Sequence, residues 1–171
     1  MFVKGYASLF NEADLGGDII LPGAFDACLS KRPIGDIKML YHHDVRRPIG
    51  VWRTIKSTAK GLWVYGELTT DARLGHDAAA LVKSRALDGL SIGFRAIKAR
   101  RLKAGRRHIH EIDLLEISLV TFPMQPKARL AGSTITDAQN FVSVIANATQ
   151  EMVATNSNHK GKSNGNRTRN A

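Results

Sequence analysis

The sequence predicts a mainly β domain of the α+β kind, a barrel of short, mostly antiparallel strands with two or three packed helices. Three observations lead there. Apolar segments are short and end at Gly, Pro or polar clusters. Residues 61–68 alternate cleanly, with Leu62, Val64, Gly66 and Leu68 against Trp63, Tyr65 and Glu67. Few segments carry helical periodicity, and many short strands with few helices favour closure into a barrel.

In chain order, residues 2–9 read as a strand with Val3, Gly5, Ala7 and Leu9 on one face. A polar turn over 11–17 leads to a short apolar strand that ends at Pro22, which can open a helix over 23–30. Pro33 and Gly35 break that helix. Residues 37–41 form a strand, His42-His43-Asp44 begins a turn closed by Pro48, and strands follow over 49–55 and 61–68. Residues 71–86 read as a helix with Asp71 near its start and Leu74, Ala78, Leu81 and Val82 on one face. A strand over 90–98, a basic hairpin turn around Gly105 and a long strand over 108–122 complete the domain. We place its boundary at 1–133. Thr136-Asp137-Ala138-Gln139 is a capping-box pattern for a C-terminal helix over 134–155. Residues 156–171 hold no apolar residue before Ala171 and read as a disordered basic tail.

The chain's 171 residues carry a net charge of +10, and that excess is local. Six cations sit in residues 98–107 and four more in the tail, leaving fifteen basic and fifteen acidic residues elsewhere. Such clusters bind phosphates, but neither contains an aromatic residue for base stacking, so nucleic acid is a weak expectation. The lone Cys28 excludes an internal disulfide and needs no role beyond a small buried hydrophobe. No apolar run reaches membrane-spanning length and no signal peptide is evident, so a soluble intracellular protein without a membrane partner is expected.

Three residues stand in unusual settings. Ser91 lies between Gly89 and Gly93 just after a predicted helix, a placement that could hold an exposed nucleophilic oxygen on a rigid element. The same pattern also serves as an ordinary turn. His43 ends an apolar strand, and a histidine is a suitable base for a serine near neutral pH; a polar turn is the plain alternative. Glu116 interrupts a strand otherwise apolar on both faces, where a carboxylate needs a partner. That partner is either a structural arginine or the ring N–H of a catalytic histidine. The histidines show no convincing metal-ligand spacing.

Taken together, several motifs in order resemble the prohead serine proteases of tailed phages, whose fold is similar to that of the herpesvirus assembly proteases. They run from Gly17-Asp18 through Pro22-Gly23-Ala24-Phe25 to Leu40-Tyr41-His42-His43-Asp44 with Pro48-Ile49-Gly50. Gly61-Leu62, Leu87-Asp88-Gly89-Leu90-Ser91-Ile92-Gly93-Phe94 and Asp113-Leu114-Leu115-Glu116-Ile117-Ser118-Leu119-Val120-Thr121-Phe122-Pro123 complete the set. The resemblance covers about Val3 to Leu130. It implies His43 as base, Ser91 as nucleophile and Glu116 as third member, with Asp113 and Asp44 as fallback acids and His42 outside the site. It implies a serine endopeptidase without cofactor, in the host cytoplasm and the procapsid interior. Its substrate would be the major capsid protein or a scaffold protein, and also itself, with self-association as a homodimer or higher oligomer left open. A non-catalytic capsid- or nucleic-acid-binding assembly protein is the competing class.

Overall fold

The computed structural model describes residues 1–131; the helix expected over 134–155 and the tail over 156–171 lie outside the described residues. Seven strands form one sheet: β1 (Phe2–Leu9), β2 (Asp18–Ile20), β3 (Lys38–Tyr41), β4 (Asp44–Ser57), β5 (Gly61–Leu68), β6 (Gly89–Arg101) and β7 (Arg107–Val120). The α-helices among the described residues are α1 (Asp26–Lys31) and α2 (Arg73–Lys83). The sheet runs β1-β5-β4-β3-β7-β2, with β6 on the other edge of β7. Pairing is antiparallel except where β2 and β3 both run parallel to β7. The sheet curls so that residues 128–131 bridge its two ends. Leu90 N–H donates to the Ala128 carbonyl, and Ala131 N–H donates to the Lys4 carbonyl.

The predicted alternation in β5 holds for Leu62, Val64 and Leu68, which are buried, against Trp63 and Glu67, which are partly exposed; Tyr65 departs from it, buried at 8% with its ring stacked on Phe2. Leu62, Val64 and Leu68 meet Phe25, Ile37, Met39, Ile49, Leu90 and Ile117 in a single core, the contiguous apolar burial that drives folding. None of the helices among the described residues is long and apolar enough to cross a membrane.

Several local expectations need correction. Helix α2, expected over 71–86, spans Arg73–Lys83; Asp71 lies just before its start, and Ala72 at the N-cap offers no side-chain cap. Its buried face is Gly75, Ala78, Ala79 and Val82, with Leu74 and Leu81 at the flank. The turn closed by Pro48 is instead a two-residue hairpin. Tyr41 pairs directly with Asp44 across His42 and His43, and both histidines have positive φ, 51° and 60°. That is the backbone of a type I′ turn, whose twist matches the flanking strands. Pro48 lies within β4 at an irregularity opposite Leu40, the kind of ladder fault where a strand tolerates proline. In β7, Phe94 pairs with Leu114 and Gly93 with Glu116, leaving Leu115 as an extra residue. This bulge reverses the in–out alternation. Ile112 and Leu114 face the core before it, Ile117 and Leu119 after it.

Candidate functional site

The bulge at Leu115 decides where the acid points. Once the alternation is reversed, Glu116 and Ser118 fall on the face opposite Ile117 and Leu119. Across the ladder, Gly93 stands opposite Glu116 and Ser91 opposite Ser118. Directly paired residues share a face, with Cβ atoms roughly 5 Å apart. One surface of the β6–β7 pair therefore presents Ser91, Gly93, Glu116 and Ser118 together.

The β3–β4 hairpin supplies the fourth group. Because β3 runs parallel to β7, its turn is held against that strand, with His42 N–H donating to the Leu119 carbonyl at 3.0 Å. His43 N–H donates to Ser118 Oγ at 3.0 Å, and its ring Nδ1 lies 2.6 Å from Glu116 Oε1. An ionised carboxylate can only accept. The ring proton therefore sits on Nδ1, and Nε2 is left as the basic atom. The hydrogen bond to Glu116 raises His43 above its usual value of about 6.5; partial burial opposes the rise and the carboxylate's charge adds to it. His42 moves the other way, lowered by burial and by the charges of His43 and Arg47. Its ring faces Thr121 Oγ1 at 3.3 Å and the edge of Tyr41, away from Glu116.

Of the two readings open for Glu116, the structure carries the histidine pairing. The arginines near β7 go to Asp113, which binds Arg32 at 2.5 Å and Arg95 at 2.8 Å. On a regular strand Asp113 and Glu116 would face opposite ways; the bulge puts them on the same face, but those two guanidinium groups occupy Asp113. Asp44 is likewise taken by Arg46. Neither fallback acid reaches His43.

Ser91 departs from expectation in one respect: the residue is largely buried, 4% exposed, although its Oγ is not sealed from solvent. It lines a cavity of about 270 Å³ together with Leu90, Ile92, Phe94 and Met124. Ile92 and Phe94 are only partly buried, because that cavity opens beside them. Among the described residues, neither Ser91 Oγ nor His43 Nε2 has a hydrogen-bond partner.

Gly93 has a specific reason to be glycine. A Cβ there would overlap Glu116 Oε1 and lie 2.8 Å from Cδ and 2.9 Å from Cγ. The carboxylate thus lies over the bare backbone of β6 on its way to His43. Gly93→Ala is expected to push Glu116 off His43, lower the histidine's titration midpoint and destabilise the fold by ~1–3 kcal/mol. Thermal melting and an NMR titration of His43 check this; wild-type values for both would mean that β6 simply gives way. Ser118, which contacts both Glu116 and the His43 backbone, is the neighbour that sequence reading passed over, although its position two residues after Glu116 on one strand was enough to put both on one face.

The curled sheet of this order has counterparts among solved structures. The bacteriophage T4 capsid assembly protease matches it with a TM-score of 0.59 at 10% identity, over 70% of this chain and 80% of its own. KSHV protease, solved with a hexapeptide phosphonate inhibitor, matches with a TM-score of 0.55 at 13% identity, over 90% of this chain and 76% of its own. Those likenesses concern the fold. Family membership comes from sequence: the Caudovirus prohead serine protease profile matches residues 1–141. The prohead protease of Enterobacteria phage HK97 is 34% identical over 149 residues, 81% of this chain and 66% of its own length. The chain therefore belongs to the Caudovirus prohead serine protease family. It spans just under two thirds of the HK97 relative.

Proposed function

We propose that the chain is a capsid maturation protease, a serine endopeptidase that cleaves the major capsid protein or a scaffold protein inside the procapsid, and also itself. Its working unit is the domain over 1–133, which acts in the host cytoplasm and in the shell's interior. The observation that carries the reading is the Nδ1–Glu116 pair, which fixes one tautomer of a histidine beside a serine strand. In this reading Ser91 Oγ attacks the scissile carbonyl while His43 Nε2 takes its proton. The collapsing tetrahedral adduct expels the amine, which receives that proton, and water then releases the acyl group by the same route. Glu116 stabilises the imidazolium formed in each half.

The raised His43 gives a pH test with two opposite signs. Catalysis needs neutral His43, so kcat/KM should climb through a limb centred above ~6.5. Stability runs the other way. A histidine raised by folding contributes fully below the unfolded value of ~6.5, and that contribution is lost as pH rises through the folded midpoint. Activity should therefore rise across the interval in which the His43–Glu116 contribution to melting fades. A limb centred below ~6 would argue against His43 as the base.

The direct experiment is co-expression with the candidate major capsid protein and scaffold, followed by intact mass of the products. Discrete truncated products with the wild-type chain support the reading; full-length proteins throughout would refute it. The competing binding role draws on the β6–β7 arm, whose residues 95–101 are exposed. Lys98 there pairs with Glu111, and Arg107 at the foot of β7 with Asp18. That pairing reduces the charge left for phosphates, so we place proteolysis first.

A further inference from the structure

Ser118 is fully buried, and its hydroxyl has two partners that belong to the two residues the site must align. It donates to Glu116 Oε2 at 2.6 Å and accepts from the backbone N–H of His43 at 3.0 Å. Glu116 Oε1 meanwhile binds the His43 ring. The contacts close a ring: Ser118 to the carboxylate, the carboxylate to the imidazole, and the imidazole's own backbone to Ser118. Each Glu116 oxygen has one assigned partner, so the carboxylate cannot rotate without breaking a bond. The His43 backbone sits at φ 60°, a region that non-glycine residues hold only when neighbours determine it.

We propose that Ser118 is a positioning residue for the site's histidine. It sets the rotation of the Glu116 carboxylate and the backbone height of His43 together, and with them the orientation of the imidazole ring. This role rests on the protease reading above, but its structural half does not. Ser118 is no rival nucleophile, since its proton is committed to Glu116 and it has no exposure.

The charged groups around the His43 ring are few. Glu116 faces it from β7, His42 adjoins it in the turn, and Arg47 on β4 lies over Tyr41. Asp44 is engaged by Arg46. A change in His43 titration on altering Ser118 therefore reports on the Glu116 contact.

The test measures His43 ring titration by NMR in the full chain, with kcat and KM for a peptide spanning the capsid-protein cleavage site. Ser118→Ala should lower the His43 midpoint and reduce kcat by ~10²-fold with KM unchanged, the scale expected for a misplaced catalytic group. Ser118→Thr keeps the hydroxyl and should restore the midpoint and most of kcat. A folded Ser118→Ala protein with a wild-type midpoint overturns the proposal. So does an activity loss that tracks unfolded protein while the midpoint stays fixed. If Ser118→Ala does not fold, Ser118→Cys replaces it; its weaker donor should give an intermediate midpoint, and a wild-type midpoint there is equally fatal. A wild-type chain inert towards the peptide would end the protease reading and leave the titration to judge Ser118 alone.

Discussion

Ser91→Ala should leave a protein that melts like wild type and cleaves nothing measurable. The two halves of that expectation have separate causes. Ser91 Oγ has no hydrogen-bond partner among the described residues, so its removal strands no buried donor or acceptor. Replacing that hydroxyl by a hydrogen, with no hydrogen-bond partner lost, is close to neutral for stability. Removing a nucleophile, by contrast, takes away on the order of 10⁶ in kcat where serine, base and acid act as one unit. His43→Ala should match it in rate. It also deprives Glu116 of its ring partner, so a modest loss of stability accompanies it. His42→Ala is the control, because that ring contacts Thr121 and Tyr41 and never reaches Glu116. Capsid-protein processing that survives Ser91→Ala would remove the nucleophile from this strand. Melting curves and product masses from the three variants decide the matter.

Glu116→Gln should fold and should be slow by on the order of 10⁴, the loss that follows when a triad histidine is held in the wrong tautomer. The wild-type contacts explain why. Ser118 donates to Oε2, and Oε1 accepts from His43 Nδ1. In the amide, the oxygen takes the Ser118 proton and the –NH₂ turns to His43. Nδ1 must then accept, which moves the ring proton to Nε2, where the base is needed. Stability should drop by no more than ~2 kcal/mol, because a charge-assisted hydrogen bond is exchanged for a neutral one. A far larger loss, ~3–5 kcal/mol, would be the mark of a buried arginine deprived of its partner. None contacts Glu116 among the described residues; the nearby guanidinium groups of Arg32 and Arg95 bind Asp113. Full activity in a stable variant would reduce the site to Ser91 and His43.

Much of this was legible because burial leaves a period in the sequence. Residues 61–68 alternate in sequence and, Tyr65 apart, in burial, and Glu116 stood out as a carboxylate in an apolar strand that had to find a partner. The identity of that partner was not legible. It depends on β3 lying parallel to β7, a pairing between residues 38–41 and 116–119 that no local pattern encodes. The bulge at Leu115 was hidden for a related reason: Leu114 and Leu115 are both apolar, so nothing in the text marks which of them faces out. His42 and His43 look like the start of a Pro-closed turn, yet long-range bonds to Leu119 and Ser118 hold them in left-handed backbone. Ser91 was expected in the open. Its glycine neighbours argued for access, but the packing around them, which sequence does not display, buries it.

The account stands on Ser91 being activated by His43, and a fluorophosphonate that phosphonylates activated serines reads this without a substrate. The wild-type chain should take one adduct, and peptide mapping should place it on Ser91. Labelling should fall with pH as His43 gains a proton, vanish in Ser91→Ala and drop to background in His43→Ala. An adduct that maps elsewhere, or one that forms on Ser91 equally well without His43, would contradict it.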